Sequence, residues 1–156
     1  MGAAYFYHLT QAPLEATLPM LLNKALAAGW RVCVRGVATE RLAWLDDALW
    51  LGPKEAFLPH GLAGGPHDAD QPVLLTTQEA RPNQAQCVMS VDGAAVSPEE
   101  VALLERVCVL FDGNDGAALE AARGQWRFLT EAGCAAQYWS QETGRWEMKA
   151  QKDPTQ

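Results

Sequence analysis

The chain has 156 residues, 49% of them apolar, and its 12 Lys and Arg face 19 Asp and Glu for a formal charge of −7. That length fits one domain with enough burial for a real core. The charge argues against a protein whose main task is gripping a phosphate backbone, which needs clustered cations, and no run approaches the roughly 20 apolar residues that cross a bilayer.

Ala3 to Leu9 is short and rich in aromatics, as a buried first strand would be. Pro13 to Ala28 reads as a helix with Leu14, Leu18, Leu21, Leu22, Ala25 and Leu26 on one stripe and Gly29 as its stop. Pro19 is tolerated best in a first turn, so the regular helix is expected to begin there. The stretch Met1 to Leu22 has no basic leader, and Pro13, Glu15 and Pro19 break it, so no signal peptide is expected and the cytoplasm is the expected location. Trp30 to Val34 is the second strand. Thr39 opens a helix that reaches Trp50, where Gly52 and Pro53 end it.

Gly52 to Pro72 holds four prolines and the run LPHGLAGGPHD, without periodicity, and reads as a long functional or mobile loop. Gly61, Gly64 and Gly65 do not make a phosphate cradle, because no strand leads into them and no Lys-Ser/Thr follows. His60 and His67 show neither a third metal ligand nor a partnered carboxylate in the local sequence.

Val73 to Thr77 and Gln86 to Val91 read as strands. Ser97-Pro98-Glu99-Glu100 is a capping box that starts a short helix. Arg106 to Phe111 is a buried strand closed by Asp112. Asn114 to Gly133 then gives the clearest helix, with Asn114 or Asp115 as cap and Gly133 as its end. Ala135 to Gln141 and Arg145 to Met148 have the alternation of a hairpin, and residues 151–156 are polar, as a loose tail after a single domain spanning 1–150 would be. Cys33, Cys87, Cys108 and Cys134 lie far apart in apolar runs, as small hydrophobes of an intracellular protein. Neither a metal site nor a cofactor motif is expected. Strands alternating with helices through short links predict an α/β fold with a mostly parallel central sheet and helices on both faces.

The helix at Asn114 also carries the most unusual surface. At about 100° per residue, Ala118, Leu119, Ala122, Trp126 and Leu129 share the core arc, while Arg123 and Arg127 fall one turn apart on the flank beside Trp126. Two guanidinium forks beside an indole suit a carboxylate-bearing ligand with an apolar group next to its charge. The plainer alternative is a core aromatic with two solvating arginines. Charge is distributed to match: five basic residues face three acidic ones from Ala121 to Lys152, while Asp92 to Glu120 is strongly acidic.

Three stretches carry a family resemblance: AYFYHL from Ala4, LDDALWLGPKEAFLPHGLAGG from Leu45 to Gly65, and RGQWRFLTEAG from Arg123 to Gly133, followed by the region around Trp146. Together the sequence resembles the chi-subunit family of bacterial DNA polymerase III. The resemblance implies a mononucleotide-binding-like topology without catalysis. It also implies an adaptor that joins the psi subunit of the clamp loader to the acidic C-terminal tail of single-stranded DNA-binding protein, touching nucleic acid only indirectly. Carried over by position, the tail site falls on Arg123, Trp126 and Arg127, and Leu119 stands where the family pattern has a further Lys. Arg145 is a candidate replacement for that charge. The psi site falls on Leu49, Trp50, Pro53 and Phe57, with a helicase as a further candidate partner at the same face; the alternative is that Trp50 and Phe57 clamp the loop that follows. The competing reading from the fold alone is a nucleotide-dependent enzyme of Rossmann-like type.

Overall fold

The computed structural model describes residues 2–50 and 59–154. Strands β1 (Ala3–Leu9), β2 (Val32–Arg35), β3 (Gly61–Leu62), β4 (Val73–Thr76), β5 (Cys87–Ser90), β6 (Arg106–Asp112), β7 (Ala135–Ser140) and β8 (Glu147–Lys152) form one sheet in the order β3-β4-β2-β5-β6-β1-β7-β8. The pairs are parallel except β7 with β8. Parallel strands need crossover helices, and those helices bury both faces of the sheet. Accordingly, β2, β4 and β5 are buried at every position.

Side-chain alternation divides the core in two. Helices α1 (Leu14–Ala27) and α2 (Thr39–Trp50) send Leu18, Leu21, Leu22, Leu42, Leu45 and Leu49 onto Val32, Val34, Val73, Met89 and Leu110. Helices α3 (Pro98–Leu103) and α4 (Gly116–Glu131) send Val101, Ala122 and Leu129 onto Ala4, Phe6, Val88, Val107 and Val109 of the opposite face. The expected α/β layering, with a mostly parallel sheet between helices, is what the chain adopts.

Several boundaries differ from expectation. α1 begins at Leu14 and runs through Pro19. The missing N–H of Pro19 removes one hydrogen bond there, and burial of Thr17, Leu18, Leu21 and Leu22 holds the helix across it. Gly61–Leu62 adds a two-residue parallel strand inside the Gly/Pro-rich stretch. β8 starts later than Arg145 and reaches Lys152, taking Gln151 and Lys152 from the expected tail. Its partner β7 supplies backbone pairing, and an edge strand of this kind needs no apolar alternation. Among the described residues no helix is long and apolar enough to cross a membrane.

Candidate functional site

Asp115 caps α4 by accepting the Ala117 and Ala118 N–H groups at 3.0 and 3.4 Å. The helical period then turns Ala122 and Leu129 to the core and leaves Arg123, Arg127 and Phe128 exposed. Trp126 sits at the boundary, half-buried. Its ring meets Phe6 edge-on at 5.4 Å and Tyr138 at 6.0 Å, geometries favoured by aromatic quadrupoles. Tyr138 continues the cluster, with its hydroxyl 2.9 Å from His8 Nδ1, and the His8 ring stacks on Phe111 at 5.2 Å. Gly113 is required beside it, because a Cβ at that position would collide with the His8 imidazole. Burial pushes the Tyr138 phenol up, and the Arg123 charge opposes that shift.

The two arginines differ. Arg123 Nη1 lies 3.1 Å from Glu120 Oε1, an exposed i, i+3 pair, of a kind worth on the order of 0.3 kcal/mol. Such a pair competes only weakly with an incoming carboxylate. Arg127 forms no ion pair among the described residues. Leu119 packs against the core cluster beneath α4, and Arg145 is exposed in the β7–β8 connection. Phe128, 56% exposed, escapes the sequence pattern because an apolar residue next to an apolar arc is ordinarily assigned to the core.

At the second expected surface, Leu49 is 7% exposed and belongs to the core cluster with Leu42 and Leu45. It shares their helical phase and is therefore removed from the surface set. Trp50 remains half-exposed, its indole 4.2 Å from the His60 ring. The His60 side chain is fully buried, with Nε2 3.1 Å from Asp46 Oδ1 and 3.2 Å from the Asp46 carbonyl oxygen. The carboxylate partner that the local sequence did not reveal is thus Asp46, brought across from α2. Pro53 and Phe57 lie outside the described residues.

A cleft of about 790 Å³ opens where β1 and β6 end side by side and their helices depart to opposite faces. This is the position at which open α/β sheets bind ligands. Here its chemistry opposes a phosphate. Glu15, Asp92, Asp112 and Asp115 line it, and its cation Arg41 is held by Asp92 at 3.1 Å. The Gln141 carboxamide oxygen accepts the successive N–H groups of Thr10, Gln11 and Ala12 at 2.9, 3.0 and 3.0 Å. Those are the donors that would otherwise face an anion, and Asp115 occupies the corresponding donors of α4. Among the described residues no group of three His, Cys, Asp or Glu is placed to hold a metal ion.

A family model described as DNA polymerase III chi subunit, HolC, matches residues 1–137. The chain belongs to this family. The chain is 32% identical over 131 residues to DNA polymerase III subunit chi of Pseudomonas aeruginosa, covering 82% of this chain and 89% of that one. A probable DNA polymerase III subunit chi of Rickettsia prowazekii is 23% identical over 101 residues, 65% of this chain and 58% of that one. The matched region takes in α4 and the first half of β7, so the Arg123, Trp126 and Arg127 surface is family sequence. The family is a subunit of DNA polymerase III, which places the chain in DNA replication.

Proposed function

We propose that this chain is a non-catalytic adaptor of the DNA polymerase III holoenzyme, linking psi in the clamp loader to the acidic C-terminal tail of single-stranded DNA-binding protein. The observation that carries the tail half of this reading is the α4 flank: two exposed guanidinium groups one turn apart, beside a half-buried indole, in a chain of charge −7. The forks of Arg123 and Arg127 take the terminal carboxylate and the flanking aspartates, and the tail's aromatic ring lies against the exposed edge of Trp126. Charge-assisted contacts supply roughly 1.5 to 3 kcal/mol each and the buried ring about 2. Ordering a flexible peptide offsets much of that, which gives an affinity on the order of micromolar. Many tails on one coated strand raise the effective concentration.

The psi half rests on Trp50, an exposed aromatic braced by His60 at the end of α2. Large aromatics in that setting are typical anchors for a partner.

The deciding experiment is calorimetric titration with an acidic peptide ending in Phe, compared with the same peptide amidated at its C-terminus. Amidation costs at least tenfold in affinity on this reading, and Arg123→Ala about as much. Equal binding of the two peptides overturns it.

A further inference from the structure

The sheet face opposite α4 carries α2 and, packed beside it, α1. Beyond that helix, Tyr5, Tyr7 and Trp139 of the sheet, with Trp30 and Trp146 from the connections, surround a groove of about 520 Å³. Arg106, the first residue of β6, projects into it. Its guanidinium carbon lies 4.0 Å from the centre of the Tyr5 ring and 5.1 Å from that of Trp30. These ring faces are its partners, because among the described residues no carboxylate or carbonyl accepts a hydrogen bond from it, and its Nε is buried without an acceptor. Among the described residues no Asp or Glu lines the groove, and Lys24 adds a second positive charge.

Arg106 is partly buried, and of the five donors of its guanidinium Nε is the one enclosed without an acceptor, which is costly. The surrounding side chains supply apolar surface but no counter-charge. Burial raises the Tyr7 phenol well above its ordinary value, so that ring stays neutral. Trp139 spends its indole N–H on Gln137 Oε1 at 3.0 Å, which leaves its ring, rather than its donor, to the groove. Tyr7 and Trp146 meet edge-on at 5.4 Å and form an aromatic wall.

We propose that this groove binds a small aromatic carboxylate, with the carboxylate oxygens in the fork of Arg106 and the ring against Tyr7, Trp139 and Trp146. Its volume falls in the range of small-molecule pockets, and apolar walls around one charged group fix orientation in such sites. Planar bidentate pairing favours a carboxylate over a neutral amide of the same shape. The groove lies across the sheet from the α4 flank, so the inference stands apart from the proposed tail binding.

The test is a titration of the full chain with 3-phenylpropionate and, separately, with 3-phenylpropanamide, following the indole N–H signals by NMR. Saturable shifts of Trp30, Trp139 and Trp146 with the acid, at least tenfold weaker binding of the amide, and at least tenfold weakening by Arg106→Gln support the site. Trp146→Ala, at a chain connection, weakens the acid in the same way and serves if Arg106→Gln does not fold. The acidic peptide ending in Phe shifts Trp126 instead and is unaffected by either substitution. Equal affinity for acid and amide, shifts centred on Trp126 with the small acid, or no saturation up to about 10 mM overturns the proposal. So does unchanged binding in the folded variants.

Discussion

Arg35 and Glu100, 65 positions apart, meet through two parallel hydrogen bonds, Nη1 to Oε1 at 2.9 Å and Nη2 to Oε2 at 2.7 Å. The same guanidinium donates to the carbonyl oxygens of Ala95 and Glu79, and its side chain is 4% exposed. A charge so enclosed depends on its partner, because removing one member of a buried pair leaves the other uncompensated. Glu100→Gln is therefore expected to destabilise by about 3 kcal/mol. Arg35→Met costs as much or more, and the double variant less than the sum, by denaturant unfolding. Additive losses would show that the two groups do not act as a unit.

Acid should weaken the same pair. Burial alone raises the Glu100 carboxyl, but the Arg35 hydrogen bonds and charge, with the Ser97 contacts, outweigh it and hold the group below its ordinary value of 4.5. A depressed acid contributes stability that is complete above the unfolded value and disappears as pH falls through the folded one. The wild-type loss of stability on acidification below about 4.5 should thus be partly missing in Glu100→Gln. A pH series of unfolding midpoints measures it, and parallel curves for the two proteins would refute the assignment.

Glu100 also shows what the sequence discloses and what it hides. Its capping role is local: Ser97 Oγ accepts the Glu100 N–H at 3.2 Å and Glu100 Oε1 accepts the Ser97 N–H at 3.1 Å, as the Ser-x-x-Glu spacing predicts. Its grip on Arg35 depends on α3, packed on β1 and β6, bringing Glu100 within reach of the end of β2, and no local spacing encodes that. The α4 surface is legible for the first reason, since one helical period places Arg123, Trp126 and Arg127. The Asp46 and His60 contact and the Gln141 contact to the β1–α1 loop are hidden for the second. Leu49 enters the psi set with the Leu45 to Gly65 motif carried over by resemblance, although its phase with Leu42 and Leu45 points inward.

Gln141 predicts a local rather than global effect. Its oxygen satisfies the Thr10, Gln11 and Ala12 N–H groups, and Gln141→Ala leaves three donors to whatever water can reach them. A loss of about 2 kcal/mol is expected, with amide exchange accelerated at those three loop residues before β1. Added ATP should give no thermal stabilisation in either protein, because Glu15, Asp112 and Asp115 line the same cleft and oppose a phosphate. Stabilisation by ATP would revive the nucleotide-dependent reading.

At the α2 end, Trp50→Ala should abolish co-purification with psi while tail-peptide binding persists. Asp46→Ala removes the carboxylate that meets His60 Nε2 and leaves the carbonyl oxygen of residue 46 beside it, so it should weaken psi capture several-fold without abolishing it. Loss of tail binding in either variant would signal a misfolded domain rather than an interface.

The most discriminating test of the α4 flank removes an acid instead of a base. Glu120 occupies one Nη of Arg123 at 3.1 Å with both side chains exposed, and it places a negative charge where an acidic tail would approach. Breaking so weak a pair costs little stability, but it frees a fork and removes a repulsion. Glu120→Gln should therefore tighten binding of the acidic peptide about two- to fivefold, as the paired charge of roughly 0.3 to 1 kcal/mol is returned to the ligand. The gain should shrink as salt rises and vanish in an Arg123→Ala background. Weaker binding in Glu120→Gln would mean that the pair holds Arg123 in its competent orientation, and an effect that survives Arg123→Ala would place the tail elsewhere on the chain.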